Sequence, residues 1–587
     1  MEKRTFLKCM ALLYPVFVSR TILAATSVKK FLGLNLSTAG RVGFYVDYSE
    51  LSAIGTHIFY VFRTHGTKGK ISVTYTSFGD AHTKISDTVI WEDGESGVKS
   101  FSISVSAKTA GDHRIYVKLS DPTGGVLLHN EDKTVAYGVI DDGSVASESD
   151  AIFVDLDSGT NGVGTKTSPY NNPYDAMLNV GTKRYIYMKG THIPDGTNTS
   201  KMGGVFRCIT PPATRVDENS RVYIRNWPGF ECTIDGGGRN DCMGFYTFNG
   251  ESYQTYRGIR FLNLDVTGVS GFNNGSAIFY NYGNSTDINV EKCEFKEIVG
   301  SSNCGAFLPW GVNGGKMWRC RVDNTITNAG SPPQKTHGMI YYKASNISVQ
   351  RCEFQGCYYA IFPKGMASNT VRVRSGFNII ENCSVGILFG YNSSNGYPDF
   401  AIIHNNLIRN CKSYYAIFVY GAADDQNGKI AIFNNVFDNC GSSGNGAVYS
   451  RDSYDLQLFN NIYYNCDVTW DMSESITAQS NSLRNQIEYA DFEHEYNTKS
   501  HLYRHLGKMY NSKTALNVDF PKFASNDSSG NPKFKNTSNY DYRLNSDSPC
   551  IANGVNGTDQ GIYLVGSEEL GPTETIRPEA PSGFKVL

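Results

Sequence analysis

Between residues 276 and 466 the chain alternates short apolar runs with polar breaks, and it does so periodically. One run recurs as SAIFY at 276–280, GAFLPW at 305–310, HGMIYYK at 337–343, YAIFPK at 359–364, VGILFG at 385–390, YAIFVY at 415–420 and GAVYSR at 446–451. Anchored on its small residue, the run falls at Ala277, Ala306, Gly338, Ala360, Gly386, Ala416 and Ala447, in steps of 29, 32, 22, 26, 30 and 31 residues. A second run closes on Asn or Cys, at Asn263, Cys293, Cys320, Cys352, Asn378, Asn406, Asn435 and Asn461. From Cys352 onward a cysteine follows five residues later, at Cys357, Cys383, Cys411, Cys440 and Cys466. Spacing of this order marks supersecondary units that stack on one another. The runs are β-branched and aromatic, are separated by Gly, Asn and Ser, and lack helical periodicity. No single unit can bury its apolar side, so each must pack on its neighbours. The pattern predicts a parallel β-helix. Asn at a fixed corner suits a left-handed backbone, and its amide can reach the Asn one coil away. Cys at the companion corner fits an inward slot for a small apolar group.

The flanks carry other patterns. Residues 40–143 hold alternating strands, HIFYVFR at 57–63, ISVTYTSF at 71–78, SFSISV at 100–105 and HRIYVKL at 113–119, and predict a separate β-sandwich. A Ser/Asp-rich linker spans 143–150. The segment 152–178 has a Val-Asp strand, a Gly-rich loop and a short helix over 173–178, placed where an open β-helix end needs a cover for its exposed strand edges. RYIYMKG at 184–190, RVYIRNW at 221–227 and YRGIRFLNLDV at 256–266 supply early coils. After Asp467 the repeat loosens, and 470–515 reads as a His- and Tyr-rich insertion, partly helical. The expected organisation is a signal peptide at 1–25, the sandwich at 40–143, the β-helix at 150–566 and a tail at 567–587.

Composition narrows the partners. A net charge of −2 argues against a strong field for nucleic acid or membrane surfaces, and no long uncharged apolar run after the first thirty residues predicts a membrane span. The opening basic stretch at 2–8, the apolar CMALLYPVFV at 9–18 and TILAA at 21–25 read as an export signal, with a secreted, periplasmic or cell-surface location implied. KRTFLK at 3–8 is similar to a twin-arginine signal with Lys3 in place of the first arginine. The 14 cysteines are expected to be mostly buried free thiols, because most recur once per coil as packing positions; a bridge from Cys208 or Cys232 stays open.

Equivalent positions of successive coils line up on one face. The ends of the first run form such a column: Asn281, Trp310, Tyr342 with Lys343, Lys364, Tyr391, Tyr420 and Arg451, with His337 at the entry of its run beside Tyr359. Alternation puts Ala277, Phe279 and their equivalents inside and lets the run ends leave the sheet. Aromatic faces suit sugar rings, and Lys and Arg suit carboxylates or sulfates. Trp310, Tyr342, Tyr391, Tyr420 and Arg451 are therefore expected to bind an anionic polysaccharide. Lys343, Lys364 and His337 are the candidate catalytic groups: proton abstraction beside a uronate carboxylate needs a base and a cation that steadies the developing charge, and a lysine crowded by cations is a better base. The bland reading of these three is solvated or satisfied turn residues. Hydrolysis would need two carboxylates across one bond, and Asp424 with Asp425, or Asp452 with Asp455, are the pairs available. No metal site is expected in the β-helix, and the cofactor is left unassigned, calcium being the one candidate.

Several stretches resemble known families. The order VTYT, TVIWEDGE at 88–95, FSISV, VKLSDPTGG at 117–125 and VIDDG at 139–143 resembles a Calx-beta domain. The resemblance implies calcium binding in some members; Glu92, Asp93, Asp141 and Asp142 are the residues available, with a plain spacer as the alternative. The opening at 152–178 resembles that of secreted right-handed β-helix proteins, and NPKFKNTSNYDYRLNSDSPCIANG at 531–554 with TDQGIY at 558–563 resembles the closing segment of the pectate-lyase-like superfamily. IYYKASNISVQRCEF and AIFPKGMASN, within 340–369, resemble chondroitinase B-type lyases, which implies Lys343 as base and a basic partner, here Lys364, one coil later. Tailspike-like glycanases imply the hydrolytic alternative. The resulting expectation is an all-β chain, an N-terminal β-sandwich followed by a right-handed parallel β-helix, that cleaves an acidic polysaccharide by β-elimination, by hydrolysis, or only binds it.

Overall fold

The computed structural model describes residues 39–562, apart from short connections between strands and loops such as 194–203, 326–334, 390–397, 421–428 and 474–486. The expected signal segment and C-terminal tail lie outside the described residues. The chain forms two compact units, Met1–Val145 and Ala146–Leu587.

In the first unit, alternating strands pair into a four-stranded and a five-stranded sheet. Their inward residues, among them Val42, Val61, Ile71, Val73, Trp91, Ile103 and Val117, make one core. Arg63 is buried in it, and its guanidinium donates to the carbonyls of Ala39, Lys68, Gly69 and Glu95 at 2.9–3.3 Å. A buried cation is tolerable only with such saturation.

The second unit is a right-handed parallel β-helix, the hand that parallel crossovers adopt almost without exception. Each coil contributes three strands. One joins a 12-stranded sheet that runs through Cys304–Pro309, His337–Tyr342, Tyr359–Lys364, Val385–Phe389, Tyr415–Tyr420 and Gly446–Arg451. The other two, of unequal length, alternate through a 23-stranded arrangement. The short strands project Phe261, Phe295, Val322, Phe354, Ile380, Ile408, Phe437 and Tyr463 into the interior, all with no exposure. Against this layer the recurring small residue must be small. A Cβ on Gly338 would lie 2.5 Å from the Phe354 ring, and one on Gly386 would lie 2.5 Å from the Ala416 carbonyl oxygen.

The corners work by a division of labour that differs from the expectation by one residue. In the later coils the left-handed residue is the one before the recurring Asn, namely Phe377, Asn405, Asn434 and Asn460, with φ of 53–58°, whereas Asn263 is itself left-handed, as expected, with φ of 51°. The Asn itself turns inward and forms the ladder. The amide nitrogens of Asn378, Asn406 and Asn435 donate to the side-chain oxygens of Asn406, Asn435 and Asn461 at 2.9–3.0 Å. In earlier coils Cys293 and Cys320 take this slot, and their thiols donate to the carbonyls of Tyr256 and Val290, one coil back. The second corner repeats the device, with Asn382, Asn410, Asn439 and Asn465 left-handed and Cys383, Cys411, Cys440 and Cys466 buried next to them. Eleven described cysteines, Cys232 included, are free and buried.

Both ends are covered. Asn172 caps the helix Pro173–Leu178, its side chain accepting from the Asp175 amide. At the far end the expected insertion at 470–515 is instead a further coil: Ile487–Asp491, His494–Tyr496 and Tyr503–His505 pair in parallel with the preceding coil. The helix Lys513–Asp519 follows, with Leu516 fully buried. On its outer side its strands His494–Tyr496 and Tyr503–His505 pair with the short segments Ser528–Ser529 and Lys508–Tyr510 rather than with another full coil, and it carries neither the Asn ladder nor the small anchor.

The C-terminal segment returns along the body. Tyr542, Cys550 and Ile562 pack on Leu407, Val436 and Ile462. The Tyr540 hydroxyl donates to Glu381 and the Tyr542 hydroxyl to Asp438. The Arg409 guanidinium lies between these carboxylates, at 3.6 and 3.8 Å, and over the Tyr540 ring.

Candidate functional site

The site is built at the ends of the strands in the 12-stranded sheet, where each coil leaves for a loop of variable length. Backbone register decides which residues share a column. Trp310 bridges Tyr342, and Tyr342 pairs with Lys364. The ladder then runs from Ile361 to Ile387 and from Phe389 to Val419, and Tyr420 pairs with Arg451. Trp310, Tyr342, Lys364, Tyr420 and Arg451 therefore occupy one column. The side chains of Tyr420 and Arg451 lie outside the described residues, as do Asn281 and Tyr391.

Within the column the described side chains differ in character. Trp310 is largely buried, with its ring centroid 4.4 Å from that of Tyr342. Lys364 is half-buried, and its Nζ lies 5.8 Å from the Phe362 ring centroid. Burial lowers the pKa of this amine. Lys343 stands one residue past the column. It is exposed and left-handed, with φ of 50°.

His337 is fully buried, and its Nδ1 accepts the backbone N–H of Tyr359 at 3.2 Å. Its ring stacks on Tyr359, with centroids 4.9 Å apart and planes 17° apart, and meets Phe362 at 5.3 Å. Phe362 is thus a neighbour of both His337 and Lys364, and the histidine ties one coil to the next.

Two aromatic groups were not singled out in the sequence. Tyr358 joins the first cluster, 4.5 Å from Tyr359, with Lys335 over its ring. Tyr415, Phe418 and Tyr449 form a second cluster, with Tyr415 and Tyr449 stacked at 4.4 Å and 16°. The signal for both was present: Tyr-Ala-Ile-Phe occurs at 359–362 and again at 415–418. The Phe279 column is buried at Leu308, Ile340, Phe362 and Leu388 and opens to solvent at Phe418 and Tyr449.

Acidic groups are committed elsewhere. Among the described residues no group of three or more His, Cys, Asp or Glu is placed to hold a metal ion. Glu92 pairs with Lys70 at 2.8 Å, and Asp93 accepts the Gly69 amide; Asp141 and Asp142 lie outside the described residues. Asp155 pairs with Lys189 at 3.0 Å, and Asp157 accepts from Thr191. The carboxylate pairs considered for hydrolysis, Asp424 with Asp425 and Asp452 with Asp455, also lie outside. Among the described residues no helix is long and apolar enough to cross a membrane.

Comparison with known proteins places the repeat. Residues 276–468 match the family described as right-handed beta helix region. No curated protein matches the chain. Among solved structures, the catalytic domain of a GH87 alpha-1,3-glucanase in complex with nigerose is similar over 77% of this chain and 83% of its own, at 11% identity and a TM-score of 0.38. PfbA, a surface adhesin of Streptococcus pneumoniae, is similar over 60% of this chain and 92% of its own, at 11% identity and a TM-score of 0.24. The apo form of the Calx CBD1 domain covers 17% of this chain and 94% of its own, at 19% identity and a TM-score of 0.16.

Proposed function

We propose that the protein is an exported carbohydrate-active β-helix that grips an acidic polysaccharide along the Trp310–Arg451 column and cleaves it by β-elimination. The observation that carries this reading is Lys364. It pairs in register with Tyr342, is half-buried, and has an amine whose pKa is lowered by burial. Such an amine is neutral over more of the working pH range than a solvated lysine and can act as a base. In the proposed step Lys364 takes the proton from the carbon beside the uronate carboxylate. The electron pair forms the ring double bond, the glycosidic C–O bond breaks, and the departing oxygen takes a proton from water, while the proton held by Lys364 returns to solvent. Lys343, exposed at the neighbouring corner, supplies the cation that steadies the carboxylate as charge builds on it. These roles are the reverse of those implied by the chondroitinase B resemblance, because burial falls on Lys364 rather than Lys343.

A second reading is a surface protein that only binds glycan. The commitment of His337 to a backbone hydrogen bond favours it, since that histidine is then engaged in holding two coils together rather than in proton transfer. Incubation with a panel of uronate-containing polysaccharides separates the readings. Unsaturated products with ultraviolet absorbance support elimination; new reducing ends without that absorbance indicate hydrolysis; retention without cleavage indicates binding alone. Lys364→Ala is expected to lower turnover by about 10²–10⁴-fold. The wild-type rate should rise with pH through a midpoint below the ordinary lysine value of 10.5, because the neutral amine is the active form.

A further inference from the structure

The two Tyr-Ala-Ile-Phe coils stand in a fixed relation. Tyr359 pairs with Val385, and Val385 pairs with Tyr415, so the two tyrosines occupy one ladder column two coils apart. At the strand spacing of a sheet this separation is roughly 10 Å. Both phenols are partly exposed, whereas Val385 between them is buried. Each ring is braced by a stacked neighbour on the outer coil, His337 for Tyr359 and Tyr449 for Tyr415. The column therefore presents two rigid aromatic contacts with a low, aliphatic step between them. Two coils match the length of two pyranose units in an extended chain.

We propose that Tyr359 and Tyr415 contact every second sugar of an extended glycan lying along the β-helix axis. The intermediate sugar passes over Val385. Occupying both contacts requires three consecutive sugars, which a disaccharide cannot supply. The inference rests on the glycan reading above but names a different part of the strip from the proposed base.

Calorimetric titration with di-, tetra- and hexasaccharides of hyaluronan and chondroitin sulfate, and of polygalacturonate as a homopolymer, tests it. For the glycan that binds, the tetrasaccharide should bind about tenfold more tightly than the disaccharide, and the hexasaccharide should add little. Tyr359→Ala and Tyr415→Ala should each erase that gain, while Tyr359→Phe and Tyr415→Phe, which retain the ring and its packing, should keep it. A gain that survives both alanine variants overturns the proposal. Binding of intact polysaccharide without any effect of the tyrosines overturns it while leaving the glycan reading in place. Failure of every intact polysaccharide to bind overturns both.

Discussion

Asn435 shows how much each corner depends on a single side chain. Its amide nitrogen donates to the carbonyls of Ile403 and Phe433 and to Asn461, and its oxygen accepts from the Asn406 backbone and side chain. Asn435→Ala leaves several buried groups unpaired and is expected to cost roughly 2–4 kcal/mol, at one to three per orphaned group after relaxation; thermal or denaturant unfolding measures it. The recurrence of Asn and Cys was legible in the sequence because each must sit at one geometric position per coil. Which residue is left-handed was not, because successive residues share the corner and both are often Asn. His404 gives a pH signature. Burial, with Arg374 nearby, lowers its pKa to about 3, although Asn405 accepts or donates at its Nδ1. The unfolded chain then binds a proton that the folded chain refuses, so stability is full above about pH 6.5 and falls as the pH drops toward 3. Asp438, whose pKa is raised by burial, acts in the opposite direction. His404→Gln should flatten the decline in a denaturation series across that window. The cysteines offer a third check. Burial pushes the Cys232, Cys383 and Cys440 thiols up, and alkylating reagents should modify the described thiols only once the protein unfolds.

Strands in this molecule are defined by what they stack on. The anchor is Ala or Gly throughout, and at Gly338 and Gly386 even a Cβ would meet the Phe354 ring or the Ala416 carbonyl oxygen at 2.5 Å, with Ile380 and Ile408 close behind the latter. Gly386→Val should destabilise by about 1–3 kcal/mol or more, and a shift in the unfolding midpoint without a change in fold content would measure it. The coil at 487–505 escaped the sequence pattern because its outer partners are the short segments Lys508–Tyr510 and Ser528–Ser529, not another full coil, so the packing that sets the repeat is relaxed there. Of the candidate site, the Trp310–Tyr342–Lys364 register was legible, since column membership follows from counting along equivalent runs. Burial was not. His337 reads as a polar residue at a strand entry, yet it is enclosed by Tyr358, Tyr359 and Phe362. The sequence equally could not show which of two lysines is desolvated, because that depends on how Phe362 and the neighbouring coils shield the amine.

At the scale of the whole molecule, the β-helix supplies a rigid ruler and the C-terminal segment holds its last coils together. Arg409, Glu381 and Asp438 are a charged layer on the outside of the short strands, enclosed by Tyr540 and Tyr542. Removing one phenol by Tyr542→Phe leaves the Asp438 carboxylate short of a donor and should cost about 1–3 kcal/mol, seen as faster proteolysis of the C-terminal segment. The same rigidity matters for the outer strip, because a ladder of fixed spacing can hold a polymer in register at little entropic cost. The most direct test of that strip is hydrogen-exchange mapping in the presence and absence of a bound uronate polysaccharide, with Lys364→Ala used to prevent turnover. Protection concentrated in the segments at 305–312, 337–345, 359–364 and 415–420 is the predicted result. Protection confined to the other two faces of the coils, or to the N-terminal sandwich, would contradict it.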